Sequence, residues 1–95
     1  MPNSAPLTED EREELAHLLP AWIIDGEVLR RSLEFSDFAE AWAFMERVAV
    51  IAEECQHHPD WTNSWNRVEL AVTTHSAGCL THLDLAFARA VDALF

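Results

Sequence analysis

Apolar residues recur along this chain with a period that switches between helical and extended spacing, and the switches mark its elements. Thr8-Glu9-Asp10-Glu11 forms a capping box, in which the Thr8 hydroxyl and the Glu11 carboxylate satisfy free amides at a helix start. The acidic first turn also suits the helix dipole. Leu15, Leu18 and Leu19 give this short helix an apolar edge, and Pro20 predicts its end near Leu19. In AWIIDGEVLRRSLEF the dipeptide Asp25-Gly26 between two apolar stretches predicts a hairpin with a type I′ turn, which needs positive φ at both loop positions. Leu29, Leu33 and Phe35 share one parity against Arg30, Ser32 and Glu34, the alternation of a half-buried strand, although Arg31 interrupts the apolar side.

From Asp37 the period becomes helical: Phe38, Ala41, Trp42, Met45, Val48, Ala49 and Ala52 recur every three or four residues behind Ser36 or Asp37 as a cap. Pro59 disfavours helical geometry at His58, so this central helix stops by about His57. Period two returns with Val68, Leu70 and Val72 opposite Arg67, Glu69 and Thr73, which predicts a second strand pair, Trp61 to Trp65 and Asn66 to Thr74. Thr81-His82-Leu83-Asp84 resembles another capping box, ahead of Leu83, Phe87, Ala90, Val91 and Leu94 at helical spacing. The order helix, two strands, helix, two strands, helix predicts an α+β fold (α-β-β-α-β-β-α). Its sheet has four antiparallel strands, with three helices packed on one face.

Length and charge narrow the function. At 95 residues and 10.8 kDa the chain is read as one domain, 1–95, and 49% hydrophobic residues suffice for a packed core. Seventeen acidic against six basic side chains give a net charge of -11, which repels phosphate backbones and anionic lipid, so direct nucleic-acid and membrane binding are not expected. The N-terminus MPNSAPLTEDEREE has no apolar signal core, no apolar run is long enough to span a membrane, and the chain has two cysteines, Cys55 and Cys79. Together these predict a soluble, cytoplasmic protein with reduced thiols.

Candidate chemistry gathers at the histidines. His57 and His58 stand where the central helix runs out, and Glu53 lies at i to i+4 from His57, placed to orient and charge its ring. His75 stands at the far end of a strand, so a sheet end and a helix end can bring three imidazoles to one pocket, acid and base equipment without an evident nucleophile. Each residue also has a plainer reading. A histidine at a helix end is often a cap or solvated, and Glu53 can be an exposed helix charge. Asp84 can be the N3 partner of Thr81. Trp22, Trp61 and Trp65 can be core or interface residues, and His17 and His82 read as surface. A metal site is a further option: Cys55, His57, Cys79 and His82 offer four soft ligands, although their spacing matches no standard zinc pattern.

The string EECQHHPDW, followed by NSWNRVELAVTTHSAG and LTHLD, closely resembles the pterin-4a-carbinolamine dehydratase family. Glu53, His57, His58, Pro59, Asp60, Trp61, Asn63, Trp65, Asn66, Val68, Thr74, His75 and Asp84 fall on its pattern, and with Trp22, Gly26, Phe35, Asp37, Phe38, Phe44, Val48 and Ala49 the likeness runs from Trp22 to about Val91. Thr62, Cys79 and His82 depart from it, outside the histidine set. The resemblance implies dehydration of 4a-hydroxytetrahydropterin to quinonoid dihydropterin without cofactor or metal, a pterin-recycling reaction. His57 and His75 would then be acid and base, His58 would bind substrate, and Glu53 would orient His57. Trp22, Trp61 and Asp84 would line or support the pocket. It also implies a homodimer or homotetramer. Some relatives are partner proteins, stabilising a transcription factor's dimer or assisting assembly of the carbon-fixing enzyme, so a protein partner is the alternative function.

Overall fold

Each helix starts where a side chain takes up a free amide. The computed structural model describes residues 4–95, so the first three positions of the predicted 1–95 domain lie outside the described residues. In α1 (Glu9–Leu18) the Thr8 hydroxyl accepts from the Glu11 amide at 3.1 Å, and the Glu11 carboxylate accepts from the Thr8 amide at 2.9 Å. Asp37 caps α2 (Phe38–Cys55) by accepting from the Glu40 amide at 2.9 Å, and Thr81 with Asp84 boxes the start of α3 (His82–Asp92).

Between them lie β1 (Ile23–Asp25), β2 (Val28–Glu34), β3 (Asp60–Ser64) and β4 (Arg67–Val72), one antiparallel sheet in the order β1-β2-β4-β3. The α-β-β-α-β-β-α order and the four-stranded antiparallel sheet are those the periodicity predicts. Register follows burial. Leu29 pairs with Val72 and Leu33 with Val68, so these four face the helices together, while Arg30, Ser32, Arg67 and Glu69 face outward. Leu15, Leu19, Leu80, Phe87 and Val91 close the same core at 0 to 1% exposure. Arg31, which interrupts the apolar side, reaches Asp92 in the last turn of α3 and lies 4.7 Å from the Phe95 ring, so its charge is answered by a carboxylate and an aromatic face.

Three boundaries differ from the sequence reading. The first hairpin loop is Gly26-Glu27, because Asp25 pairs with Val28, and only Gly26 has positive φ, at 59°. Positive φ at the first loop position alone is the type II′ pattern, not I′. At the second hairpin Trp65 leaves the strand with φ of 49°, held by the Asn63 side chain donating to the carbonyls of Trp65 and Arg67. Asn66 donates to the Phe35 carbonyl at 2.9 Å, so both asparagines of the motif fix backbone. β4 ends at Val72 rather than Thr74, since the hydroxyls of Thr73 and Thr74 turn to Glu27 and Asp84.

Candidate active site at the end of the central helix

The last turn of α2 delivers His57. Gln56 takes a left-handed conformation (φ 51°, ψ 41°), its amide donates to Glu53 and the His57 amide to Ala52 at 3.1 Å, a Schellman closure that bends the chain off the helix axis. The Gln56 side chain adds a bond to the Glu53 carbonyl at 2.8 Å. His57 thereby points its Nε2 at Asp84, the first-turn carboxylate of α3, at 2.6 Å.

Asp84 is completely buried and the His57 side chain is 10% exposed. The Asp84 Oδ2 accepts from the Thr81 amide at 2.9 Å and from the Thr74 hydroxyl at 2.8 Å. Thr81 in turn shares a 2.7 Å bond with Thr74 and accepts from the Leu83 amide, so a chain of donors ends on the carboxylate. The Asp84 carboxylate already accepts from two donors, and as an ionised acceptor it takes Nε2–H from His57. With Nε2–H so engaged, Nδ1 is the ring nitrogen that the Asp84 bond leaves over.

The pairing differs from the one read in the sequence. Glu53 lies against His58 at 2.6 Å, not against His57, and both partners are well exposed. The closure at Gln56 turns His57 inward and leaves His58 on the side of α2 that Glu53 occupies. Asp84 is both the N3 member of the capping box and the partner of His57. His75, in the turn after β4, is 75% exposed, with Asp60 3.9 Å away. His57, His58 and His75 line one open cavity of about 300 Å³ with Thr73, Thr74 and Leu83.

Two aromatic residues expected at the pocket lie elsewhere. Trp22 is buried in the core and donates from Nε1 to Asp92 at 2.8 Å, eight residues and so about 12 Å along α3 from Asp84. Trp61 packs against the core beside β4, opposite Leu70. A larger cavity, about 540 Å³, lies over the outward face of the sheet near Arg30, Ser32, Thr62 and Glu69; Trp61 lines it and no histidine does. Among the described residues no group of three or more His, Cys, Asp or Glu is placed to hold a metal; His57 goes to Asp84, and His82, read as a surface residue, bridges Glu11 at 2.6 Å. Burial and the Glu54 charge push the Cys55 thiol up, which keeps it protonated and poorly nucleophilic. Thr74 and Thr81 escaped the sequence reading as site residues. The signal available was a buried threonine pair flanking the His75 turn, visible only once Asp84 is known to need donors.

Such a site defines a class: small α+β proteins whose pocket offers several imidazoles, one of them fixed by a buried carboxylate. The family model for pterin 4 alpha carbinolamine dehydratase matches residues 5–94, and the chain belongs to this family. A protein of Synechococcus sp. (strain WH7803), provisionally named a pterin-4-alpha-carbinolamine dehydratase, is 50% identical over 88 residues, covering 93% of this chain and 95% of its own. A Rhizorhabdus wittichii protein with the same provisional name is 50% identical over 91 residues, covering 94% of each. The crystal structure of a transcriptional coactivator/pterin dehydratase from Brucella melitensis superposes with a TM-score of 0.86 at 39% identity, covering 95% of this chain and 98% of that one. A pterin dehydratase-like protein identified as a RuBisCO assembly factor in the alpha-carboxysome gives a TM-score of 0.63 at 26% identity, covering 77% of this chain and 84% of that one. No helix among the described residues is long and apolar enough to cross a membrane.

Proposed function

We propose that the chain dehydrates a 4a-hydroxytetrahydropterin to quinonoid dihydropterin and water. The N5 proton passes to a base, the N5 electron pair forms the bond to C4a, and the C4a–oxygen bond breaks as an acid protonates the departing hydroxyl. One proton leaves N5 and one joins the hydroxyl, so the balance closes without a cofactor. The observation that carries this reading is the His57–Asp84 pair, in which a buried carboxylate fixes the ring and leaves Nδ1 for proton exchange. His75, exposed in the same cavity and 3.9 Å from Asp60, is the second proton carrier, and His57 and His75 exchange roles with the stereochemistry at C4a. His58, held by Glu53, binds the substrate edge. Trp22 and Trp61 support the fold behind the site.

Dehydration of enzymatically generated carbinolamine, followed above the uncatalysed background, tests this reading. A rate at background from folded protein would sink it. A second reading, a protein-binding role, is favoured by the exposed apolar stripe on α2, where Phe38 and Trp42 stack at 6.1 Å and are 44% and 49% exposed. A folded protein without dehydratase activity that loses a partner on Trp42→Glu would establish it.

A further inference from the structure

His57 and His75 are held in different ways. The His57 ring is fixed by its own bond to Asp84, whereas the His75 ring is 75% exposed and meets Asp60 only at 3.9 Å, beyond hydrogen-bond length. Where His75 stands is therefore decided by the backbone of its turn. That turn closes on itself through the Thr74 carbonyl, which accepts from the Ala77 and Gly78 amides at 3.0 Å each, and through the Thr74–Cys79 bridge. A closed turn still needs its two stems, Thr73 and Leu80, to be tied to the rest of the fold.

Thr74 and Thr81 are tied to Asp84 and the Leu80 carbonyl accepts from the Leu7 amide, and both stems are tied besides to one residue far away in the chain. The Leu80 amide donates to the Glu27 carboxylate at 3.0 Å, and the Thr73 hydroxyl donates to the Glu27 carbonyl at 2.5 Å. Arg12 of α1 completes the clamp, donating to the same Glu27 carboxylate at 2.8 Å and to the Gly26 carbonyl at 3.0 Å. The Leu80 amide first, and then the Arg12 guanidinium, hold the Glu27 carboxyl below its usual range, so it is ionised at neutral pH. Glu27 sits in the two-residue loop of the first hairpin, and it lines no part of the histidine cavity.

We propose that Glu27 is a positioning residue for His75, clamping both stems of the 73–80 turn so that the ring stands at the cavity. This rests on the dehydratase reading for its catalytic consequence, but the placement of the turn can be measured without activity. A misplacement of about 1 Å costs up to about 10²-fold in rate. Glu27→Ala is therefore expected to lower kcat between about tenfold and a hundredfold with little change in KM, while the His57 ring resonances stay at their parent positions. Glu27→Gln is expected to recover most of that loss, because its side-chain oxygen still accepts from the Leu80 amide.

The decisive comparison is made in a His75→Ala background, where Glu27→Ala should cost little more, because the residue it positions is gone. An equal loss in both backgrounds overturns the proposal in favour of a general structural role. Amide hydrogen exchange supplies the activity-independent arm: Glu27→Ala should speed exchange across residues 75–79 and move the His75 ring resonances. Unchanged exchange and unmoved His75 signals overturn it, whether or not the parent protein dehydrates pterins. Should Glu27→Ala fail to fold, Thr73→Val removes the other stem bond and is read by hydrogen exchange across residues 75–79 and the His75 ring resonances, since Thr73 itself lines the cavity.

Discussion

The Nε2 of His57 lies 2.6 Å from a carboxylate oxygen of Asp84, which has no solvent exposure and already accepts from the Thr81 amide and the Thr74 hydroxyl. Asp84→Asn keeps the shape but replaces one acceptor oxygen by a donor, so either the hydroxyl chain or the His57 bond faces a like donor. The expected result is a fall in kcat of about 10² to 10⁴, the range of general acid–base catalysis, and a shift of the His57 tautomer seen in ring nitrogen NMR. Stability should drop by about 1 to 3 kcal/mol, the cost of leaving a buried polar group unpaired, measured by urea melting. An unaltered tautomer with unaltered kcat would remove Asp84 from the mechanism.

The three imidazoles should separate kinetically. His57→Ala and His75→Ala are each expected to lower kcat, and the double variant should fall to near background, because either ring partly substitutes for the other. His58→Ala should mainly raise KM. Glu53→Gln follows His58: it should raise KM, move the His58 ring resonances and leave those of His57 in place, since Glu53 bonds His58 alone of the two. Movement of His57 instead would restore the i to i+4 pairing that the sequence suggests.

That correction shows where sequence spacing stops being informative. The α-β-β-α-β-β-α order is legible because each element buries one face, and a period of two or three to four residues records that directly. The capping boxes at Thr8 and Thr81 are legible because both partners lie within three residues. The partner of His57 is not, because i to i+4 geometry holds only while the helix continues, and the left-handed Gln56 breaks the helix one residue before His57. Trp22 is misleading for a related reason. Its place in a family pattern says that it matters, and its bond to Asp92 at the other end of α3 shows it supporting the core. The Glu27 clamp joins residues 46 and 53 positions apart, which no local pattern marks.

The bridge between His82 and Glu11 predicts a pH window for stability. It ties α1 to α3, and the His82 ring also bonds the Ala5 carbonyl at 2.9 Å. The Glu11 carboxylate raises His82 above its ordinary value, while the Thr8 amide and then His82 lower Glu11. A group raised on folding stabilises fully below its unfolded pKa and loses that contribution as pH rises through its folded value. A lowered carboxyl stabilises above its unfolded pKa and loses it as pH falls through its folded value. The bridge is therefore strongest between about pH 4.5 and 6.5, the ordinary values of the two groups. Melting temperature against pH should show the parent's advantage over His82→Gln greatest in that interval and fading on both sides. A constant difference across pH would mean that packing, not charge, is what His82 supplies.

The surface predicts self-association through α2 rather than through the open sheet. The outward face of the sheet carries Arg30, Ser32, Glu34, Thr62, Arg67 and Glu69, with the exposed Ile23 at its β1 edge, so most of it tolerates water. A longer apolar stripe stands elsewhere: Phe38 and Trp42, four apart, and Ala49, seven further on, lie exposed along α2. Spacings of four and seven keep side chains on one side of a helix, and two such stripes packed together give a helix–helix seam. The chain is thus expected to sediment as a dimer or tetramer at micromolar concentration, and Trp42→Glu to release the 10.8 kDa chain without loss of fold, since the side chain is 49% exposed. An assembly that survives Trp42→Glu but dissociates when Glu69 is replaced by Arg would move the interface back to the sheet. A parent protein sedimenting only at 10.8 kDa would remove self-association altogether and leave the stripe as a surface for a different protein.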